Sequence, residues 1–153
     1  MTSVTFKEIH IGTPEHEEEL ALRGRVLRGE LGRPPVPEIF PWDDESRRYV
    51  AVADGAVIAC LLVHPREGVS KVFQMAVEPH WRGKGVGPKL MKFLIDEERK
   101  KGASGFFLHA RHYVVHYYAG MGFVPVGEPF EEINIPHQRM ELRFADEPPR
   151  SHG

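Results

Sequence analysis

The chain has 153 residues, of which 41% are hydrophobic and 27% charged, enough for one domain with a real core and too apolar for a disordered chain. Its 20 basic and 22 acidic residues give a formal net charge of −2, so charge offers no ground for a nucleic-acid or membrane-surface partner. A single cysteine, Cys60, excludes an internal disulfide, the longest apolar run, Ala56 to Val63, is too short to span a bilayer, and the first ten residues hold no signal-peptide core, which makes the cytoplasm the expected location.

Val4 to Ile11 reads as a first strand. Thr13-Pro14 then opens a helix, with a side-chain oxygen at the N-cap and proline at the first helical position. Glu15, Glu17, Glu18 and Glu19 lie where the helix dipole favours negative charge, and Arg23, Arg25 and Arg28 where it favours positive charge. The pattern is that of an ordinary helix reaching Gly29. Four prolines between Gly32 and Ser46 forbid a regular helix there, while Ile39, Phe40 and Trp42 make the stretch too apolar for a free linker. It is expected to be a packed loop with one helical turn. Arg48 to Ala53 and Ala56 to Val63 flank Asp54-Gly55, a type I′ hairpin turn. A second turn at Pro65 to Gly68 leads into a strand from Lys71 to Val77.

The strongest signal runs from Val72 to Lys101. After the strand, Pro79 breaks the pattern, Arg82-Gly83-Lys84-Gly85-Val86-Gly87 follows, and Val86, Leu90, Met91, Leu94 and Ile95 then fall on one helical face, with Gly102 as the stop. A glycine-rich loop between a strand and a helix presents backbone N–H groups and the positive end of the helix dipole without Cβ atoms in the way. That is a cradle for a phosphate or pyrophosphate, with Arg82 and Lys84 adding charge; the plainer alternative is a surface turn. The P-loop pattern fails because Pro88-Lys89 follows Gly87. The dinucleotide fingerprint fails because Leu90 or Pro88 stands at its third glycine. The pyrophosphate of coenzyme A is the remaining common candidate, with a module for ATP or NAD as the rival.

Gly105 to Ala110 reads as a strand parallel to 72–77, reached by a right-handed crossover. Tyr113 to Ala119 forms a short helix ended by Gly120 and Gly122. Phe123 to Val126 and Gln138 to Phe144 are the last strands, separated by a longer connection from Glu128 to His137. Residues 146–153 read as a tail, leaving 1–145 as a single domain.

Residues 75–91, MAVEPHWRGKGVGPKLM, resemble motif A of the GNAT superfamily of N-acetyltransferases, [RQ]-x-x-G-x-[GA] after a strand. Residues 116–123, HYYAGMGF, resemble the F-Y-x-x-x-G-F segment of that family. Residues 131–140, EEINIPHQRM, resemble E-x-G-I-P-H-x-x-M of its ElaA-like branch, with Asn134 in place of Gly. The resemblance implies an α/β (α+β) GNAT fold: one mixed, mostly antiparallel sheet of six to seven strands with one parallel pair and flanking helices. It also implies that the parallel pair splays to admit the pantetheine arm, and that residues 32–46 cover the acceptor site. Acetyl-CoA would be the cosubstrate, with no metal, and the reaction an N-acetyl transfer to a primary amine of a small molecule. Family members often dimerise, so a homodimer is consistent with it. A peptide or protein amine as acceptor, and a non-catalytic acyl-CoA sensor on the same fold, are the alternatives.

Residue by residue, the resemblance assigns Arg82, Gly83, Lys84, Gly85, Val86, Gly87 and Pro88 to the pyrophosphate. It places a bulge at Gln74-Met75-Ala76-Val77, where the N–H groups of Met75 and Val77 meet the acetyl and pantetheine groups. Tyr118 stands at the family's tyrosine, a phenol with an ordinary pKa of about 10 that can protonate a leaving thiolate while itself neutral. Tyr113 and Tyr117 are its neighbours, and Tyr117 takes the place of a packing Phe. Arg111 replaces the Asn that contacts pantetheine in many members. Glu132 and His137 are the candidates to bind the ammonium and take its proton, with a water chain as the alternative. His109, His112 and His116 form a rival cluster, but no carboxylate or cysteine completes a metal site around them.

Overall fold

The computed structural model describes residues 3–144. Strands β1 (Val4–Ile9), β2 (Arg47–Ala53), β3 (Ala56–His64) and β4 (Ser70–Val77) form an antiparallel run. Its β2–β3 turn places Asp54 and Gly55 at φ 52° and 77°, as the Asp-Gly pair predicts for type I′. The chain then crosses through α2 (Val86–Lys100) to β5 (Gly105–Arg111), passes through α3 (Val115–Ala119), and ends in β6 (Val124–Pro125), β7 (Phe130–Glu132) and β8 (Ile135–Arg143). The sheet runs β1-β2-β3-β4-β5-β8-β6, with β7 also paired to β8; only β4 and β5 are parallel. This is the mixed, mostly antiparallel α/β sheet expected, with eight strands in place of six or seven.

The extra strand lies in the stretch read as a connection from Glu128 to His137. Phe130–Glu132 pairs with Ile135–His137 around a two-residue turn in which Ile133 and Asn134 have φ 49° and 59°. A β-branched residue with positive φ is rare, so Ile133 hid the hairpin from a turn search. β8 accordingly starts at Ile135, three residues before the expected Gln138. At the other end β1 stops at Ile9 and does not reach Ile11. The tail expected over 146–153 lies outside the described residues.

The first helix, α1 (Pro14–Arg23), begins as predicted, with Thr13 Oγ1 accepting from the His16 N–H at 3.3 Å. It does not continue as α-helix to Gly29. A wider π turn over Gly24–Arg28 and a 3-10 turn over Gly29–Leu31 follow, where the proline-rich loop crosses so closely that a Cβ on Gly24 would lie 2.3 Å from the Pro35 carbonyl oxygen. That loop is packed and carries one 3-10 turn at Asp43–Glu45, as expected.

The sheet has a core on each face. Leu22 and Val26 pack with Val50, Cys60 and Ala76 on the α1 side; Leu90, Met91 and Leu94 pack with Tyr49, Leu61 and Phe106 on the α2 side. Near its C-terminus α2 is also pinned by Glu98, whose carboxylate accepts from Arg47 Nε and Nη2 at 2.7 and 2.8 Å and from the Tyr49 hydroxyl at 2.7 Å. The N-terminus of α2 is thereby presented at the end of β4. No helix among the described residues is long and apolar enough to cross a membrane.

Candidate active site

Two irregularities in β4 open the sheet. Its pairing to β5 is confined to Ser70 with Phe106 and Lys71 with Phe107, and beyond Lys71 the two strands part. Its register against β3 shifts between Cys60 and Leu62, so that Gln74 and Met75 share the place opposite Leu61, and Gln74 takes φ 61°. This is a β-bulge, at the position the sequence resemblance gives it. Past Lys71, the backbone donors and acceptors of β4 that face β5 have no strand partner, and they border a cavity of about 860 Å³. That volume is in the range of sites for sizeable organic ligands, about 300–1,000 Å³.

At one end of the cavity is the glycine loop. Gly85 is the N-cap of α2 in the left-handed region, φ 79°, and no side chain caps the helix, so its first N–H groups are left for another acceptor. Gly87 is required for a different reason: a Cβ there would lie 1.8 Å from the Tyr117 hydroxyl oxygen. Tyr117 therefore does more than fill a packing position, because its ring lines the cavity beside the start of α2. Arg82 donates from Nε to the Val77 carbonyl at 3.2 Å and pairs through Nη2 with Glu30 at 2.8 Å. Lys84 is the exception among the loop residues: it does not border the cavity, and its ammonium lies 5.4 Å from the Trp81 ring centre.

Tyr118 also lines the cavity, as do Met75, Ala76 and Val77. Burial pushes its phenol well above the ordinary tyrosine value, and its hydroxyl has no hydrogen-bond partner among the described residues. Arg111, also at the cavity, donates to the Tyr113 hydroxyl at 3.3 Å and the Leu27 carbonyl at 3.5 Å. It braces the end of β5 against the π turn.

The far end is a side-chain construction. Glu132 and His137 both line it, as do Glu38, Phe40, Lys71, Phe73 and His109. The structure brings Glu132 to His109 rather than to His137: His109 Nδ1 and Glu132 Oε2 are 3.2 Å apart. An ionised carboxylate only accepts, so Nδ1 carries the proton and Nε2 keeps its lone pair in the neutral ring. Burial, helped by the Lys71 charge, lowers the His109 pKa and favours that neutral ring, against the pull of Glu132. His137 is 5% exposed, and its Nδ1 is 2.7 Å from the Ile135 carbonyl, which can only accept, so Nδ1 is the protonated nitrogen and Nε2 is the position that would take a proton in the neutral tautomer. Burial also lowers the pKa of Lys71, whose ammonium rests over Trp42 with no carboxylate in ion-pair range among the described residues.

His109 was legible only as part of the rival histidine cluster. The structure separates that cluster, with His109 on β5 in the cavity and His112 and His116 exposed beyond it. The strand alternation Phe107, His109, Arg111 was the available signal. A backbone cradle, a neutral phenol in the same cavity and two imidazoles together can bind a phosphate-tailed ligand, protonate a leaving group and accept a proton from a nucleophile.

A family model described as the acetyltransferase (GNAT) domain matches residues 38–144. The streptothricin acetyltransferase of Streptomyces lavendulae is 31% identical over 123 aligned positions, which cover 68% of this chain; the chain spans 65% of that relative's length. The crystal structure of Escherichia coli ElaA superposes with a TM-score of 0.81 at 21% identity, covering 92% of this chain and all of that one. A GNAT family acetyltransferase from Elizabethkingia anophelis, solved with acetyl-CoA bound, gives a TM-score of 0.69 at 18% identity over 92% of this chain and 98% of that one. The sequence resemblance is borne out, for the family by its model and for the ElaA-like branch at the level of fold.

Proposed function

The chain belongs to the GNAT acetyltransferase family, and from that premise we propose that it transfers the acetyl group of acetyl-CoA directly to a primary amine of a small molecule. The observation that carries this reading is a single cavity lined by the uncapped N-terminus of α2, by Tyr118 and by the imidazoles of His109 and His137. The pyrophosphate lies at Arg82, Gly83 and Gly85 to Pro88, and the pantetheine arm follows the open edge of β4. Lys84 contributes charge at a distance.

The acceptor arrives as an ammonium, drawn by Glu38 and Glu132. His137 or the His109–Glu132 pair takes one proton, and the free amine nitrogen attacks the thioester carbon. The oxyanion that forms is met by the N–H groups of Met75 and Val77. The carbon–sulfur bond then breaks, and the Tyr118 hydroxyl gives its proton to the departing sulfur. Burial keeps the phenol protonated until the sulfur departs, and because it disfavours phenolate and thiolate alike, Tyr118 regains a proton as it gives one up. As the adduct collapses the nitrogen's second proton restores the Tyr118 phenol, the first passes from the imidazole to solvent, and the products are an amide and coenzyme A. The setting is the cytoplasm, where acetyl-CoA is at hand.

The test is calorimetric titration with acetyl-CoA, coenzyme A, ATP and NAD, followed by thiol release with an amine panel containing streptothricin, an aminoglycoside, free amino acids and a peptide N-terminus. Binding of both coenzyme A species but neither nucleotide, with turnover of a small amine, is the expected result. Binding without turnover of any amine would favour the acyl-CoA sensor, and turnover of the peptide alone would move the acceptor class.

A further inference from the structure

Beneath the acceptor end lies a buried ion cluster. Glu19 and Arg23 of α1 have no exposed side-chain surface, and Arg48 of β2 and Asp43 of the proline-rich loop show 3% and 5%. Arg48 joins the two acids, Nε to Glu19 at 3.1 Å and Nη2 to Asp43 at 2.9 Å, so two guanidinium groups balance two carboxylates. The sequence pattern explains Glu19 and Arg23 as charges that suit the dipole of an ordinary helix; the fold turns both inward.

Arg23 has a wider reach than the ion pairs require. Its Nη1 serves Glu19 at 3.0 Å and Asp43 at 3.3 Å. Its Nη2 donates to the Glu38 carbonyl at 2.6 Å, and its Nε to the side-chain oxygen of Gln74 at 3.2 Å. Glu38 belongs to the loop over the acceptor end, and Gln74 is the left-handed residue of the β4 bulge. A non-glycine residue holds positive φ only where its surroundings enforce it. Arg23 is that enforcement from the side-chain direction, and the same rigid guanidinium sets the spacing between the bulge and the loop.

Resting on the acetyltransferase reading, we propose that Arg23 is a positioning residue: through Gln74 it holds the bulge that receives the acetyl carbonyl, and through Glu38 it holds the acceptor loop in register with it. The charge cluster is self-sufficient without Gln74, which is neutral, so the clamp can be cut there without unpairing a buried charge.

Two near-isosteric variants test it. Gln74→Met keeps the length and removes the acceptor; Gln74→Glu keeps the acceptor. The primary readout is the carbonyl stretch of bound [1-13C]acetyl-CoA by isotope-edited infrared spectroscopy, which needs no amine. The wild type and Q74E should show the stretch lowered by hydrogen bonding, and Q74M should return it toward the free value. With any amine that the wild type turns over, kcat of Q74M should fall on the order of 10- to 100-fold, as for a misplaced reacting group, with KM for acetyl-CoA held within about twofold and Q74E restoring the rate. A Q74M stretch and kcat equal to wild type, or a Q74E loss as deep as that of Q74M, overturns the positioning role. A wild type that does not bind acetyl-CoA in calorimetry, or binds it with an unshifted stretch, removes the acetyltransferase reading beneath the proposal; binding with a normal wild-type shift keeps the two failures apart.

Discussion

At the α2 end of the cavity the ligand-facing groups come from one short stretch, Arg82 to Pro88 without Lys84, and are mostly backbone N–H groups and glycines. At the acceptor end they are side chains gathered from β4, β5, β7, β8 and the proline-rich loop, with Arg23 of α1 bonded to Gln74 of β4 and to the loop at Glu38. A backbone cradle is indifferent to most side chains and is damaged chiefly by adding atoms. A side-chain pocket is changed by almost any substitution. The first end therefore suits a ligand of fixed chemistry, and the second a ligand that can differ from one relative to the next.

The largest effect should come where the chemistry of the two ends meets. Tyr118→Phe removes the proposed proton donor for the leaving sulfur and should lower kcat by about 10²–10⁴, the usual range for a general acid, while leaving acetyl-CoA binding intact in calorimetry. Equal loss of binding would mean that Tyr118 belongs to the cradle and that the division is drawn in the wrong place. Next is Gly87→Ala, whose Cβ meets the Tyr117 hydroxyl oxygen at 1.8 Å and its ring carbon at 3.2 Å. Acetyl-CoA affinity should weaken about tenfold, or roughly 1.4 kcal/mol, and adding Tyr117→Phe should recover part of it. An unchanged Kd for the single variant would break the claim that added atoms are what this end cannot take.

The acceptor end should answer to charge instead. His109 is lowered by burial and by Lys71, and raised by Glu132. The imidazole thus stays neutral below its ordinary value of about 6.5, and activity that needs its lone pair is lost only under more acid conditions. Glu132→Gln removes a raising partner and should move the acid limb of kcat/KM to lower pH; Lys71→Met removes a lowering one and should move it to higher pH. If neither variant moves the limb, His109 is not the group that takes the proton. Smallest of all should be Lys84→Ala, less than about twofold in Kd, since that ammonium sits over Trp81 outside the cavity and an exposed charge contributes little.

The same contrast explains what could be read from the chain. The cradle was legible because its parts are adjacent and its physics is backbone physics: a strand, three glycines, an amphipathic stripe. The sheet order and the bulge came through with the family pattern. The Ile133-Asn134 hairpin did not, because its turn uses a residue that turn chemistry disfavours. The His109–Glu132 bond joins residues 23 apart, and Arg23 to Gln74 joins residues 51 apart, so neither leaves a local periodicity. The inward turn of Glu19 and Arg23 was hidden for a related reason, since an i,i+4 acid–base pair has the same spacing whether it faces water or the core.

The two pairs that join β4 to β5, Ser70 to Phe106 and Lys71 to Phe107, leave this border of the sheet bridged mainly by the core under α2. One half-sheet is β1 to β4 and the other β5 to β8, and along most of their border no ladder joins them. Cooperativity between such blocks depends on what bridges them. A molecule lying along that border adds its binding free energy to their cohesion, so a cosubstrate bound there would also splint the sheet. Amide protons of Val72 to Val77 that face the border would record this as slowed exchange on binding.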